Sequence, residues 1–239
     1  KFLMEAEKET MRANLLRAVS HDLRTPLTGI IGMADAYLAD SGRLTEEEKS
    51  YMVKGISEDA NWLLNMVENL LSVTRIRVGE TRVNTSLESL EEVVSEAVQR
   101  LRKRLPQARV QVQVPEEFLM VPMDAMLIEQ VIINLLENGV YHSGAEKIDL
   151  YVVKKDKEAV FRIRDYGKGI TPERLEAIFD GGGTEENPSG DSHRGMGIGL
   201  SICKTIVNAH EGTIWANNWE QGAEFVFTLP LREDTGDDK

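Results

Sequence analysis

A histidine lies beside an aspartate in the stretch Ser20-His21-Asp22-Leu23-Arg24-Thr25-Pro26-Leu27. The neighbouring carboxylate can hold one imidazole nitrogen protonated, which leaves the other nitrogen as a neutral nucleophile. Thr25 follows His21 by four residues, so the two side chains share one face of a helix. The residue types and their spacing therefore predict a nucleophilic histidine with a hydroxyl group on the same face.

The segment around His21 has the periodicity of an amphipathic helix. Apolar residues recur at helical spacings, at Leu16, Val19, Leu23, Ile30, Met33 and Tyr37. His21 lies about 160° around the helix from Val19 and from Leu23, so it points to solvent and away from the apolar seam. Pro26 has no amide proton to donate to the carbonyl of Asp22, so we expect the helix to bend there.

The first third of the chain predicts two long helices. Residues 1–40 form the first, and Thr45 is expected to cap the second, which ends near Gly79. The second helix carries a heptad seam made of Val53, Ile56, Ala60, Leu63, Val67, Leu70 and Thr74. Two helices cannot bury such stripes alone, so we expect a homodimeric four-helix bundle. The alternative is a helical hairpin that packs on the second domain of the same chain.

From about residue 85 the pattern predicts mixed helices and strands. The expected helices are 87–105, a helix capped by Asp124 that runs to about His142, 172–179 and 200–210. The expected strands are 110–114, 148–153, 159–163, 213–216 and 224–229. Residues 180–194 form a polar, glycine-rich loop, and the basic residues from Arg100 to Arg104 are interpreted as a solvated helix end. This order predicts an α+β sandwich with helices on one face of a mixed sheet.

Three short motifs in this second part suit a nucleotide. Asn134 and Asn138 lie four residues apart on a helix, and amide oxygens are suitable ligands for Mg²⁺. Asp165-Tyr166-Gly167-Lys168-Gly169 follows a strand, and the Asp165 carboxylate can accept the amino hydrogen of adenine. Gly195-Met196-Gly197-Ile198-Gly199-Leu200 begins a helix, where backbone N–H groups can contact phosphates. A dinucleotide fingerprint would need a strand directly before these glycines and a βαβ unit, which the pattern lacks.

These motifs resemble, in order, those of sensor histidine kinases. The octet around His21 resembles their phosphoacceptor box. The N, G1, F and G2 boxes of their ATP-binding domain are matched by Asn134/Asn138, Asp165/Gly167/Gly169, Phe179 and Gly195/Gly197/Gly199, and Gly222 resembles the last glycine box. The resemblance covers residues 14–231, and the first helix pair looks most like KdpD-type potassium-responsive sensor kinases.

The resemblance implies a domain organisation and an activity. Residues 1–80 would be the dimerisation and histidine phosphotransfer domain, 85–232 the ATP-binding domain of the histidine kinase and gyrase type, and 233–239 a polar tail. The γ-phosphoryl group of ATP would pass to His21 and then to an aspartate in the receiver domain of a response regulator. Phosphatase activity toward that regulator is also implied.

The resemblance also assigns roles to residues. His21 would be the phosphoacceptor, Asp22 the orienting group or general base, and Thr25 the residue that places a water for the phosphatase reaction. The implied ATP-binding residues are Asn134, Asn138, Tyr141, His142, Asp165, Gly167, Gly169, Phe179, Arg194, Gly195, Gly197, Gly199, Leu200 and Gly222. Asn138 and Asn134 would be the Mg²⁺ ligands.

The chain departs from the family pattern at two places. Tyr141 stands where a lysine is expected, and Phe179 is followed by Asp180-Gly181-Gly182-Gly183 instead of a second phenylalanine. The missing lysine, and a loop whose basic residues are confined to Arg194 and His193, leave fewer cations for phosphate, so we expect lower affinity or rate. A degenerate, nucleotide-binding scaffold is therefore a rival hypothesis. An autonomous ATPase is another, although it leaves the histidine motif unexplained.

Composition excludes several other classes of protein. The 239 residues are 41% hydrophobic and 28% charged, as in ordinary globular domains. A formal net charge of −12 makes nucleic acid and anionic membranes poor partners. The single cysteine, Cys203, excludes an internal disulfide, and no apolar run reaches the roughly 18–20 residues of a membrane span. Together with these observations, the family resemblance implies a soluble, cytoplasmic fragment of a membrane-anchored bacterial sensor.

Overall fold

The computed structural model describes residues 23–40, 42–75, 83–144, 147–179 and 197–231. The chain divides into two compact units, Lys1–Leu71 and Ser72–Lys239. The described part of the first unit contains two helices, α1 (23–40) and α2 (Glu46–Arg75). The predicted bend falls at Asp22, outside the described residues, and the chain from 23 to 40 is helical through Pro26.

The start of α2 confirms the predicted cap. The backbone N–H of Glu48 donates to Thr45 Oγ1 at 3.2 Å, and the N–H of Thr45 donates to Glu48 Oε2 at 2.8 Å. This reciprocal capping box satisfies two donors at the end of the helix. The bond from the Thr45 backbone is the main cause that lowers the pKa of Glu48.

Two glycines allow the helices of the first unit to approach closely. A Cβ on Gly29 would lie 2.5 Å from Asp59 Oδ2, and one on Gly55 would lie 2.6 Å from Met33 Sδ. In the predicted seam of α2, Ile56 and Leu63 are half-buried, whereas Val53 and Val67 are exposed. The seam therefore does not face a single neighbour within this chain.

The second unit alternates short strands and helices. Its elements are β1 (Ser86–Ser89), α3 (Leu90–Arg104), β2 (Arg109–Gln113), β3 (Met120–Met123), α4 (Ala125–Ser143), β4 (Lys147–Lys155), β5 (Glu158–Asp165), α5 (Pro172–Ala177), α6 (Gly197–Ala209), β6 (Ile214–Trp219) and β7 (Gly222–Pro230). β1 and β3 pair as a two-stranded antiparallel sheet, and the other strands form a five-stranded sheet in the order β2-β4-β5-β7-β6.

The expected α+β sandwich is confirmed. The large sheet is mixed, because β2 runs parallel to β4 while the remaining pairs are antiparallel. α4 packs on β4 and β5 and is flanked by α3 and α6. The inward side chains of the sheet form the core, where the rings of Phe161 and Phe227 stack at 4.3 Å between centroids. The sheet thus packs against one side of α4, and α3 and α6 pack against its other sides.

The predicted helix over 87–105 was wrong at its start. Residues Ser86 to Ser89 form β1, and the helix begins at Leu90 because Ser89 caps it by accepting from the N–H of Glu92 at 3.4 Å. The partner strand β3 was not predicted at all. Its sequence, Met-Val-Pro-Met, has no alternation of apolar and polar residues, and its proline has no amide proton to donate.

Among the residues that the structure describes, no helix is long and apolar enough to cross a membrane.

A buried histidine links the ends of α4 and α6. His210 Nδ1 lies 2.8 Å from the carbonyl oxygen of Ile206, and Nε2 accepts from the N–H of Asp124 at 3.0 Å. These partners require the neutral ring with its proton on Nδ1. Asp124 in turn caps α4 by accepting from the N–H of Leu127 at 3.2 Å. Burial is the main cause that lowers the pKa of His210.

The second unit is expected to lose stability as the pH falls below about 6.5, the ordinary pKa of histidine. There the unfolded chain binds a proton at His210, whereas the folded chain keeps the ring neutral until a lower pH. One such group contributes a slope of at most about 1.4 kcal/mol per pH unit. Denaturant unfolding at several pH values should show a shallower slope for His210→Gln than for the wild type. Equal slopes would contradict this role of His210.

Candidate functional site

Both predicted metal-binding amides lie on α4, in its buried central part. Asn134 is 2% exposed and Asn138 is 6% exposed. Sequence analysis placed them four residues apart on a helix, and in the structure α3 and α6 cover the sides of α4 and bury nearly all of its middle. Asn134 Oδ1 accepts a hydrogen bond from Gln130 Nε2 at 3.0 Å. The two amides are therefore held in the interior and not displayed on a surface.

The Asp165 carboxylate is fixed by backbone groups at the end of β5. Its Oδ1 accepts from the N–H of Gly167 at 2.9 Å and from the N–H of Ala223 at 3.1 Å. A Cβ on Gly222 would lie 2.4 Å from the carbonyl oxygen of Asp165 and 2.6 Å from its Oδ1. Only a glycine allows β7 to approach this closely. One oxygen of Asp165 is therefore held by two donors in a fixed direction.

The end of α4 meets the loop that follows Asp165. A Cβ on Gly167 would lie 2.5 Å from Cα of Ser143, and one on Gly139 would lie 2.9 Å from Ile148 Cδ1 and 3.7 Å from Asp165 Cβ. Asn138 directly precedes Gly139. The fold thus brings the second amide motif and the aspartate–glycine motif to one place.

Two residues that sequence analysis missed hold this loop from the β6–β7 hairpin. Asn218 Oδ1 accepts from the N–H of Ile170 at 2.8 Å, and Asn218 Nδ2 donates to the carbonyl oxygen of Ile170 at 2.7 Å. The side-chain amide of Asn218 therefore bonds both backbone groups of Ile170, as a neighbouring strand would. Gly169 has a φ of +76°, and a Cβ there would lie 2.8 Å from Asn218 Oδ1. Trp219 Nε1 donates to the carbonyl oxygen of Asp165 at 2.8 Å. The sequence held one signal for this contact: the pair Asn217-Asn218 lies within a strand, where asparagine is disfavoured.

The third glycine motif leads into α6. Gly199 and Leu200 are buried in its first turn, and α6 packs along α4. Phe179 is also buried, with its ring edge-to-face with Phe225 at 6.2 Å. Phe179 therefore anchors the chain to the core just before residue 180. Glycine and amide motifs that are distant in sequence thus lie on adjacent helices.

Family models match two consecutive parts of the chain. Residues 11–79 match the His Kinase A (phospho-acceptor) domain, and residues 123–233 match the Histidine kinase-, DNA gyrase B-, and HSP90-like ATPase domain. The chain belongs to the sensor histidine kinases. It is a two-component histidine kinase core, with the phospho-acceptor domain followed by the ATPase-type domain.

The kinase core is similar to part of the sensor protein KdpD from two bacteria. It is 47% identical over 229 residues to KdpD of Clostridium acetobutylicum and 38% identical over 236 residues to KdpD of Escherichia coli K12. Each alignment covers 95% of this chain and 25% of the relative. The kinase core thus spans about a quarter of the length of these relatives.

Solved histidine kinases have the same fold. The catalytic domain of the histidine kinase ThkA is 28% identical, with a TM-score of 0.54 over 61% of this chain and 95% of that one. The histidine kinase AdeS of Acinetobacter baumannii is 24% identical, with a TM-score of 0.67 over 89% of this chain and 98% of that one. ThkA in its complex with the response regulator TrrA gives a TM-score of 0.72 at 24% identity, over 97% of this chain and 66% of that one.

Several site residues predicted for the kinase core lie outside the described residues. These are His21, Asp22, Arg194 and Gly195. Tyr141 and His142 are exposed at the end of α4, and Thr25 is half-buried in α1. The described site of the kinase core is therefore the group formed by Asn134, Asn138, Asp165 and the surrounding glycines.

The donor set in this kinase core fits Mg²⁺. The described residues contain no group of three or more His, Cys, Asp or Glu side chains that could hold a metal ion. The predicted ligands on α4 are the amide oxygens of Asn134 and Asn138, and Asn134 Oδ1 also accepts a hydrogen bond from Gln130. Mg²⁺ prefers oxygen ligands and keeps waters and phosphate oxygens in its coordination shell, so few protein ligands are sufficient. A metal bound here would depend on the nucleotide for much of its coordination.

Proposed function

We propose that this chain transfers the γ-phosphoryl group of ATP to His21 and then to an aspartate of a response regulator receiver domain. The main support is the convergence of Asn138, Asp165 and Gly222 at one end of α4, in a chain whose first part matches a phospho-acceptor domain. Phosphoryl transfer depends mainly on positioning and charge neutralisation. The convergent motifs would position the nucleotide, and a bound Mg²⁺ would neutralise charge on its phosphates.

Each motif has a separate task in nucleotide binding. Asp165 would accept the amino hydrogen of adenine on Oδ2, the carboxylate oxygen that the bonds from Gly167 and Ala223 do not use. Gly167 and Gly169 let the loop approach the ring. The phosphates are bound by backbone N–H groups at the start of α6, together with Arg194. The remaining residues of the proposed ATP site are Tyr141, His142, Phe179, Gly195, Gly197, Gly199 and Leu200.

The metal and the nucleophile lie on different elements. Asn138 and Asn134 would hold Mg²⁺, which neutralises charge on the phosphates. Asp22 holds a proton on one nitrogen of His21, so the second nitrogen attacks the γ-phosphorus. Because the nucleophile belongs to the residues 1–80 and the ATP site to 85–232, we propose that the two domains must dock during the reaction.

Incubation with γ-labelled ATP tests the proposed activity. A histidine kinase gives label on protein that is stable in base and lost in acid. Nucleotide binding without label would favour a signalling scaffold, and release of phosphate without label would favour an autonomous ATPase. Either result would contradict the proposed transfer to His21.

We also propose that residues 1–80 form a homodimer. Large apolar side chains stay exposed on both helices of the first unit, with Ile31 53% exposed, Leu64 56% and Val67 45%. Burial of each would contribute roughly 1.5–3 kcal/mol. A second copy of the hairpin would cover this surface in a four-helix bundle.

The variant Leu64→Glu is expected to be monomeric, because a charge would enter the interface between the two hairpins. Leu64 is exposed in the single chain, so the hairpin itself should keep its helical content. Ser50→Glu adds the same charge at an exposed polar position of α2 and should stay dimeric. Light scattering gives the mass of each variant, and a monomeric wild type at micromolar concentration would contradict the dimer.

We propose that Thr25 places the attacking water when the regulator is dephosphorylated. Its hydroxyl is a poor nucleophile without an adjacent base, but it can orient a water. Thr25→Ala should keep autophosphorylation and lose about 100-fold in regulator dephosphorylation. Thr28→Ala is a matched control, because the Thr28 hydroxyl already donates to the carbonyl of Arg24 at 2.8 Å. Equal dephosphorylation rates for Thr25→Ala and wild type would exclude this role.

We propose that the chain is the cytoplasmic part of a larger, membrane-anchored signalling protein. Its relatives of the KdpD type are about four times as long, and they are sensor proteins. We infer that a stimulus detected elsewhere reaches this core and sets the balance of kinase and phosphatase activity.

A further inference from the structure

A side chain from the β6–β7 hairpin completes the hydrogen bonding at the end of β5. The backbone ladder between β5 and β7 runs as far as Arg164 opposite Glu224. At the next residue the N–H of Ala223 donates to the Asp165 carboxylate at 3.1 Å and does not continue the ladder. The indole Nε1 of Trp219 donates instead to the carbonyl oxygen of Asp165, at 2.8 Å. The main chain of Asp165 is therefore held by a tryptophan ring.

The Trp219 ring is itself fixed by its neighbours. The ring of Tyr166 meets it edge-to-face, with 5.1 Å between the ring centroids. The Arg164 guanidinium lies 5.3 Å from the centroid of the Trp219 ring, and Arg164 Nε donates to Glu224 Oε1 at 2.7 Å. Because these contacts hold the plane of the indole, its N–H group has a fixed direction.

Tyr166, the residue directly after Asp165, has an anchor of its own. Its hydroxyl donates to Oδ2 of Asp149, a carboxylate on β4 that is only 2% exposed, and accepts from Lys147 Nζ at 3.0 Å. The preceding residue on β4, Ile148, lies close to α4. Since successive residues of a strand point to opposite faces, Asp149 lies on the face of the sheet away from α4. The loop after β5 is thus anchored from that face.

These anchors bear on the carboxylate of Asp165. Its Oδ1 accepts from the N–H groups of Gly167 and Ala223, whereas the described residues give Oδ2 no hydrogen bond. A carboxylate that is bonded through one oxygen keeps the other in a fixed direction only while its own main chain does not turn. Trp219 bonds the carbonyl of Asp165, and Tyr166 fixes the residue that follows. Together they prevent such a rotation.

We propose that Trp219 and Tyr166 are positioning residues for adenine recognition, because they hold the main chain of Asp165 so that Oδ2 stays directed toward the amino group of the base. Both act through Asp165 and not by contact with the nucleotide. This inference rests on the proposed function, in which Asp165 accepts the amino hydrogen of adenine. It adds that the face of the sheet away from α4 contributes to the preference for adenine.

The test compares the affinity of the full chain for ATP with that for purine riboside triphosphate, which carries hydrogen in place of the amino group. Calorimetric titration should show that the wild type binds ATP about 10- to 100-fold more tightly. Trp219→Phe removes the indole N–H and keeps an aromatic ring. This variant should lose about fivefold in ATP affinity and nothing in affinity for the analogue.

Tyr166→Phe tests the second anchor independently, also in the event that Trp219→Phe does not fold. It removes the hydroxyl and keeps the ring, and Asp149 retains the hydrogen bond from the Tyr151 hydroxyl at 2.9 Å. The ratio of the two affinities should again fall about fivefold. Trp215→Phe is the matched control, because Trp215 lies on the same strand as Trp219 and should leave both affinities unchanged.

The ratio of the two affinities separates positioning from a general structural role. An equal loss for both nucleotides, or no loss for either, would overturn the positioning role of the residue that was changed. A shift in Trp215→Phe as large as that in Trp219→Phe would also overturn it. If Asp165→Asn lowers the ratio and neither Trp219→Phe nor Tyr166→Phe does, the inference fails alone. If the wild type binds both nucleotides equally, the proposed contact between Asp165 and adenine fails as well.

Discussion

Replacement of His21 by alanine is expected to abolish autophosphorylation while ATP still binds. The imidazole is the only group in the phosphoacceptor motif with a nucleophilic nitrogen, and no neighbouring side chain can take over its reaction. The proposed nucleotide site is built from α4, β5, α6 and β7, which all belong to the second unit. Labelling with γ-labelled ATP and equilibrium binding of the nucleotide measure the two properties separately.

The variant Asp22→Asn provides the comparison for His21→Ala. It keeps the nucleophile and removes the charge that orients it, so label should form more slowly but to a measurable extent. Undiminished label in His21→Ala would show that another residue is the acceptor. Loss of nucleotide binding in that variant would show that the two units do not act separately in binding.

The variant Asp165→Asn is expected to lose ATP affinity by about 10- to 100-fold, because hydrogen bonds to a charged partner contribute about 1.5–3 kcal/mol. The amide oxygen can replace Oδ1 and keep the bonds from Gly167 and Ala223, so the local fold should persist. The NH₂ group of the new asparagine then replaces the second carboxylate oxygen. Because this group and the amino group of adenine are both donors, no hydrogen bond forms between them. Calorimetric titration with ATP measures the loss.

A thermal unfolding experiment checks that the defect of Asp165→Asn lies in recognition. Its melting temperature should stay close to that of the wild type, whereas Asp165→Ala should unfold earlier because two buried N–H groups lose their acceptor. If Asp165→Asn bound ATP as tightly as the wild type, the proposed contact between Asp165 and adenine would be contradicted. An equal loss of stability in both variants would instead assign Asp165 a structural role.

Local signals were sufficient to predict most secondary structure. Thr45 with Glu48, and Asp124 before an apolar helix, are capping signals that depend only on neighbouring residues, and both are present in the structure. The strands β4 and β5 were predicted from two apolar runs, and in the structure they pair antiparallel across a short turn. By contrast, β3 has no alternation. It exists because β1 pairs with it from a distant part of the chain, with Ser89 opposite Met120 at one end and Ser86 opposite Met123 at the other.

The arrangement of the site required contacts between distant residues. Gly222 was assigned only through the family resemblance, but its physical reason is the carbonyl of Asp165, which leaves no space for a Cβ. Asn218 and Trp219 hold the Asp165 loop through bonds to backbone groups about fifty residues away in sequence. No pattern within one segment indicates such partners.

The sequence by itself determined the family, the order of the two domains, and the residue types able to act as nucleophile, adenine acceptor and metal ligand. These follow from side-chain chemistry and from spacings within one helix or loop. The tertiary structure alone decided that Asn134 is buried where α6 packs along α4, and that one oxygen of Asp165 is held by two backbone N–H groups. The physical reason is that the direction of a buried polar group is set by its hydrogen-bonding partners, and folding brings those partners from distant parts of the chain.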